Sequence, residues 1–343
     1  MDSVDKQLAE MSKEFESRSK VKVVLETGLY TLVLLLLLVD NSLTLFIISF
    51  NRQMRTVPNM FVASLALTDL LLGFISASPV GISTLAASQW PFNDTACQYQ
   101  GYMAVTLALT STQLLALMAV NRYFRIVSPA KYRRYFTRKR TTIMILVLWF
   151  YCIWAPLPYL LSGHKMVFHP SKFFCYLQID SGPFTAFMVT VYIGLPTCVI
   201  FYCYLRIFQT VSSHNTNFQT SGVASHTVNV EEIKITRTLF VIVVSFNLCW
   251  TPVLVIDIVD TIRGTWTFPR EVYVAYSFLA TISSALNPII YGVLNKNFKK
   301  KYRKILCCSY CCKQSLVEPF IPPEKGPSSV ETPLKAQEKK SFH

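Results

Sequence analysis

Seven stretches of the chain are almost wholly apolar, and polar or charged segments separate them. They run near Thr27–Phe50, Val57–Leu85, Gly101–Val120, Thr141–Leu161, Phe184–Phe208, Ile235–Val259 and Val272–Leu294. The third is the cleanest, with no charge between Gly101 and Val120. About 20 residues at a rise of ~1.5 Å each cover the roughly 30 Å hydrocarbon core of a bilayer. The pattern predicts an all-α membrane protein, a seven-transmembrane helix bundle. Pro79, Pro158, Pro196, Pro252 and Pro288 fall inside the spans, where neighbouring helices can take up the carbonyls that a proline frees. Residues 1–26 read as a mixed-charge tail, 27–295 as the bundle, and 296–312 as a short amphipathic eighth helix with a cysteine cluster. Residues 313–343, rich in Pro, Ser, Glu and Lys without periodicity, read as a disordered tail.

Composition supports the membrane reading. Of 343 residues 52% are hydrophobic and 15% charged, and mean hydropathy is +0.37; a soluble domain carries charge on about a quarter of its residues. A net charge of +14 also suits a nucleic-acid binder. Here, however, the basic residues cluster beside apolar segments, which points to lipid headgroups and not to nucleic acid. Met1–Lys22 lacks the apolar core of a cleavable signal, so the first span is expected to act as the targeting signal.

The charge asymmetry sets an orientation. Arg52, Arg55, Arg125, Lys131, Arg133, Arg134, Arg138, Lys139, Arg140, Lys234, Arg237 and the basic run from Lys296 to Lys304 all fall on one side. The opposite loops hold Lys165, Lys172, Arg263 and Arg270 against Asp94, Asp180 and Asp260. The positive-inside rule then places the amino terminus outside and the carboxyl terminus inside. Cys97 and Cys175 fall in outer loops, where oxidising conditions allow a disulfide. Asn93-Asp94-Thr95 is a glycosylation sequon on the same side. Cys307, Cys308, Cys311 and Cys312 follow the basic stretch after the seventh span; without a flanking histidine they read as palmitoylation sites in preference to a metal cluster.

Motifs along the spans resemble the rhodopsin-like (class A) G-protein-coupled receptor family. Asn41 lies in the first span, Leu65-Ala66-Leu67-Thr68-Asp69 in the second, and Asn121-Arg122-Tyr123 ends the third. Trp149 marks the fourth span, and Pro196 with Tyr204 the fifth. Phe246-Asn247-Leu248-Cys249-Trp250-Thr251-Pro252 and Asn287-Pro288-Ile289-Ile290-Tyr291 complete the set, with Phe298 in the basic helix beyond. The Asn121 form of the triplet, the segment Phe201–Ile207 and the segment Tyr291–Phe298 are most similar to the melatonin-receptor branch. The pocket departs from that branch: Tyr159 stands where it has a ligand-contacting asparagine, Gln178 falls one place early, and Pro288 stands where it has alanine.

The resemblance implies a plasma-membrane receptor that binds a small extracellular ligand and activates a heterotrimeric G protein, of Gi/o type, with arrestin, a receptor kinase and membrane lipids as further partners. The position of a retinal-bearing lysine is Thr281, and that of an amine counter-ion is Ala104. The implied pocket is apolar and aromatic: Val105, Ala108, Trp250, Val253, Leu254 and Tyr276 join Ala104, Tyr159, Gln178 and Thr281, with Asp257 as the acidic anchor. Peptide and lipid ligands stay open. Asp69, with Ser111, Ser284 and Asn287, is expected to hold an allosteric sodium ion; a protonated structural aspartate is the alternative. No other cofactor is expected. Arg122 is expected to pair with Glu232, with one restraint missing because Asn121 is neutral. Tyr123, Tyr204, Trp250, Pro252, Asn287, Pro288 and Tyr291 complete the expected activation switch. Nothing suggests an enzyme: no nucleophile–base pair, phosphate loop or zinc spacing is present. A transporter or channel predicts paired repeats and charge-lined spans, and neither is visible.

Overall fold

The computed structural model describes residues 2–178, 182–221 and 230–311. The chain divides into two compact units, 1–302 and 303–343, and the first holds the bundle. Among the described residues, seven helices are long and apolar enough to cross a membrane. We label them α2 (Lys20–Phe50), α3 (Val57–Ala87), α4 (Asp94–Val127), α6 (Arg138–Leu161), α7 (Pro183–Ser213), α8 (Glu232–Arg263) and α9 (Arg270–Leu294). Among the described residues, three shorter α-helices, α1 (Asp2–Glu16), α5 (Pro129–Tyr135) and α10 (Lys296–Cys311), and one turn of 3-10 helix at Arg52–Met54 accompany them. A two-stranded antiparallel hairpin, β1 (Met166–His169) and β2 (Phe174–Leu177), lies between α6 and α7.

Polarity is arranged as a bilayer demands. Leu29, Leu32, Phe150, Trp154, Phe201, Phe208 and Leu248 point outward, whereas Asn41, Asp69, Asn121, Arg122 and Asn287 are buried between helices. A polar group in hydrocarbon is costly unless it faces a partner, so the helices turn these faces inward. Helix starts follow local chemistry. The Ser19 hydroxyl accepts from the Lys22 N–H and the Asn93 Oδ1 from the Ala96 N–H at 2.9 Å, and Pro58 and Pro129 open their helices. Asn93 is exposed, so its sequon is accessible while its amide oxygen serves as the cap.

Several expected boundaries shift. Residues 2–16, expected as tail, are helical, and α2 begins at Lys20. Phe15 of α1 is 1% exposed: it packs against Phe168 of β1 beneath the Arg18 guanidinium, 4.0 Å from its ring centroid. Glu26 ties this end to the seventh span, taking Arg18 Nη1 at 2.6 Å and both Arg270 Nη atoms at 2.8 and 2.6 Å. Hydropathy alone marks this segment as polar because its apolar residues serve one short face. Cys97, expected in a loop, sits in the first turn of α4. Prolines distort three spans. Gly73–Gly81, which holds Pro79, and Val189–Gly194, just before Pro196, are π-helical, and α6 breaks after Trp154 and resumes at Leu157.

The central helix is α4, which packs against α3, α6, α7 and both strands. At Gly101 an added Cβ would lie 2.9 Å from Met166 Cγ and 3.0 Å from the Cys175 carbonyl oxygen, so only glycine lets the hairpin sit this close. In α10, Phe298 is fully buried with its ring stacked on Tyr291, and the Tyr302 hydroxyl meets the Thr44 hydroxyl at 2.5 Å. The side chains of Cys307, Cys308 and Cys311, all of Cys312 and residues 313–343 lie outside the described residues.

Candidate functional site: a cavity at the hairpin end and an arginine lock at the other

The hairpin is held at one end of the bundle by α4. Cys97 is disulfide-bonded to Cys175. Two residues apart on that helix, two glutamines each bond a strand: Gln98 donates to the Met166 carbonyl and accepts from its N–H, both at 2.8 Å, and Gln100 accepts from the Cys175 N–H at 2.7 Å. The turn between the strands places Phe173 in the left-handed region, φ 52°, with its side chain 1% exposed against Tyr30 and Phe278. A bulky residue adopts that conformation only where surrounding contacts compensate.

Beneath the hairpin lies a cavity with about 110 Å³ of free space. One water takes ~10–15 Å³ on that measure, so there is room for a small molecule. Its walls include Ala104, Val105, Ala108, Trp250, Val253, Leu254, Asp257, Tyr276 and Thr281. Trp250 Nε1 donates to the Ser283 hydroxyl at 3.0 Å, and its ring stacks on Phe246. Two expected members are elsewhere. Tyr159 is fully buried against Phe184 and His164; its hydroxyl donates to the Lys165 carbonyl at 3.0 Å and accepts from the Gln178 N–H at 2.8 Å. Gln178 borders a smaller neighbouring cavity. Tyr159 lies beyond the break in α6, packed on Phe184 and His164 and not in the cavity wall, so a position inferred by spacing alone misses the pocket. In their place Tyr30, Phe174 and Tyr176 line the cavity. Tyr30 was detectable as a polar-tipped aromatic in an apolar span, but nothing local distinguishes the two hairpin aromatics.

Asp257 is not a free anchor. Lys172, 2% exposed in the hairpin turn, places Nζ 3.0 Å from Asp257 Oδ1. The Tyr176 and Tyr276 hydroxyls donate to Oδ2 at 3.0 and 2.9 Å. Lys172 Nζ also lies 4.3 Å from the Tyr176 ring centroid and 4.0 Å from that of Tyr276. Burial, and then the Asp257 carboxylate, push the Tyr176 phenol well above its usual value, so it remains a donor. Beside this group His169 is 1% exposed, with Nδ1 accepting from the Lys172 N–H at 3.2 Å. Burial and the neighbouring Lys172 charge hold His169 well below the ordinary imidazole range, so it is neutral near pH 7.

Midway along the bundle, Asn287 Nδ2 donates to Asp69 Oδ2 at 2.9 Å, and Asn41 Nδ2 donates to the Ser284 carbonyl at 3.2 Å. Asp69 Oδ1 is buried with no hydrogen-bond partner among the described residues, and Ser111 and Ser284 are also buried. A carboxylate oxygen and hydroxyl oxygens are the hard donors that an alkali cation takes.

At the end opposite the hairpin, Arg122 is fully buried. Its Nη1 lies 3.2 Å from Glu232 Oε2, and Arg125 Nη2 lies 2.8 Å from Glu232 Oε1. Asn121 Oδ1 accepts from Arg122 Nη2 at 2.7 Å. The neutral residue expected to leave one charged restraint missing supplies a hydrogen bond to the guanidinium instead, and Arg125 adds a second cation to Glu232. Tyr123 packs against Tyr202, and Tyr204 against Phe240. The hydroxyls of buried Tyr204 and Tyr291 have no hydrogen-bond partner among the described residues. Pro252 lies within α8, and Pro288 is buried in α9.

A pocket at one end of a seven-helix bundle and an arginine held at the other define a membrane receptor of the seven-helix class. The family described as 7 transmembrane receptor (rhodopsin family) matches residues 40–291, and the chain belongs to it. Within that family it is related to melatonin receptors. It is 28% identical to melatonin receptor type 1B-B of Danio rerio over 297 residues, covering 85% of this chain and 84% of that protein. Against human melatonin receptor type 1B it is 28% identical over 272 residues, covering 78% and 74%. Squid rhodopsin superposes with a TM-score of 0.75 at 19% identity, over 89% of this chain and 91% of that one, a likeness of fold.

Proposed function

We propose that this receptor takes a small, largely apolar and aromatic extracellular ligand into the cavity beneath the hairpin and activates a heterotrimeric G protein of Gi/o type at the Arg122 end. The amino terminus and hairpin face outward at the plasma membrane, and the basic loops and α10 contact the inner leaflet. Arrestin and a receptor kinase act on the same inner face. One observation carries the reading: Trp250 and Asp257 in the cavity wall and Glu232 on Arg122 all belong to α8, with Pro252 between Asp257 and the other two. The proline removes one backbone bond and allows the helix to pivot. A ligand that prefers the pivoted form draws Glu232 from Arg122, which is a population shift and not a chemical step.

Melatonin, which the relatives' names carry, is the first ligand to try; the burial of Tyr159 outside the cavity favours a different one. A sodium ion on Asp69 Oδ1, with Ser111, Ser284 and Asn287 nearby, favours the locked form. The test is nucleotide turnover by a Gi/o heterotrimer with purified receptor in vesicles, across indoles, lipids and peptides, in sodium and in choline salt. Ligand-dependent turnover that falls in sodium, but not in Asp69→Asn, is expected. Ion flux without turnover under any ligand overturns the reading in favour of a channel or transporter.

A further inference from the structure

The buried contact between Lys172 and Asp257 has the parts of an ammonium-binding site. One carboxylate oxygen faces Nζ, the other is held by two phenol donors, and the rings of the same two phenols face the charge. A third ring, Tyr273, lies 5.6 Å away. Aromatic faces with a nearby carboxylate are the general chemistry for alkylammonium groups. The ammonium here belongs to the chain itself: Lys172, in the hairpin turn, borders the smaller neighbouring cavity and meets Asp257 in the wall that the two cavities share. The turn is positioned for this: the Lys172 N–H bonds to the His169 carbonyl at 3.1 Å and its carbonyl accepts from the Ser277 hydroxyl at 2.7 Å. The cage also joins three elements, since Tyr176 stands on β2, Asp257 on α8 and Tyr276 on α9.

We propose that Asp257, Tyr176 and Tyr276 form a site for alkylammonium groups in which Lys172 is the built-in occupant, so that an amine-bearing ligand enters by displacing the lysine. The inference rests on the receptor reading of the same cavity and names a class of ligand for its polar end. Lys172 tethers the hairpin to α8 and α9 until an external ammonium replaces it. This also reconciles Ala104 with a cation site: the counter-ion stands on the helix with the pivot, not on α4.

The experiment is chemical replacement of the lysine side chain. Lys172→Ala, Lys172→Met and the double variant Lys172→Ala/Asp257→Asn are purified, and thermal unfolding is followed with n-propylammonium, tetramethylammonium or neutral 1-propanol. Lys172→Ala is expected to melt several degrees below wild type and to recover part of that loss with n-propylammonium but not with the alcohol. Its affinity for n-propylammonium should exceed that of the wild type by roughly tenfold or more, because the internal competitor is gone. The double variant should show no recovery. If Lys172→Ala does not fold, supplying n-propylammonium during expression should restore folded protein, and failure to do so counts against the site. Lys172→Met, whose stem still fills the space, should gain far less n-propylammonium affinity than Lys172→Ala, and an equal gain in the two counts against the site. Equal response to ammonium and alcohol, or recovery that persists with Asp257→Asn, overturns the proposal. Unfolding needs no G protein, so ammonium recovery without nucleotide turnover refutes only the receptor reading, and turnover without recovery refutes only the ammonium site.

Discussion

Replacing Glu232 by Gln should raise ligand-free signalling about tenfold. Gln keeps the shape and one acceptor oxygen but removes the charge that faces Arg122 and Arg125. Breaking a fully buried ion pair costs about 3–5 kcal/mol, and an exposed one contributes about 0.2–1 kcal/mol. The Arg122 side chain is 0% exposed and that of Glu232 21%, so the pair lies between these limits. Because an acceptor remains, about 1–2 kcal/mol is the expected loss. Arg125, at 39% exposure, adds only about 0.3 kcal/mol. The sum is close to the 1.4 kcal/mol that shifts an equilibrium about tenfold. Asn121→Ala should shift it less, because Asn121 lies next to Arg122 on α4 and their bond need not break when α8 moves. Asn121→Asp should quiet the receptor by holding Arg122 to its own helix with a charge. The assay is nucleotide turnover without ligand, normalised to surface expression. Unchanged turnover in Glu232→Gln together with increased turnover in Asn121→Asp refutes the reasoning.

Three further outcomes follow from the hairpin. Cys97→Ala and Cys175→Ala should each lower stability by about 4 kcal/mol, as a closed loop spanning a separation of 78 residues implies, and the double variant should be no worse than either single in surface expression and denaturation. Below pH ~6.5 stability should fall with a slope of at most ~1.4 kcal/mol per pH unit, because unfolded His169 takes a proton that the folded one refuses. His169→Phe should flatten this limb of the thermal-unfolding profile. Tyr159→Phe should cost about 1–3 kcal/mol by removing the two hydrogen bonds of its hydroxyl, to the Lys165 carbonyl and from the Gln178 N–H, with ligand affinity changed far less than by Trp250→Ala.

Much of this fold is legible residue by residue. A helix that crosses a bilayer must be apolar along a known length, so each of the seven spans can be read from its own segment. The same logic makes Asp69, Arg122 and Asn287 conspicuous, since a buried polar residue in such a segment needs a reason. Family motifs brought Glu232 to Arg122, and the structure places them 3.2 Å apart. The amphipathic helix after Leu294 is equally local, with Phe298 as its buried face.

The cavity roof was not legible, for a physical reason. A loop residue carries no period and no burial requirement of its own; where it lies is decided by contacts distant in the chain. Lys172 reads as a solvated outer-loop cation, and only the turn held by Cys97, Gln98 and Gln100 of α4 carries it to Asp257, 85 residues away. Likewise Tyr159 and Tyr176 are both aromatics near the same surface, and the break in α6 and the strand register decide which one reaches the cavity. Seven spans and their polar interior are legible from the chain because hydrophobic length and buried polar groups are local costs, whereas Glu232 as partner of Arg122 came through the resemblance to the family. Tertiary structure alone decided that Asp257 already holds an ammonium, because a long-range ion pair exists only once three separate elements are packed around it.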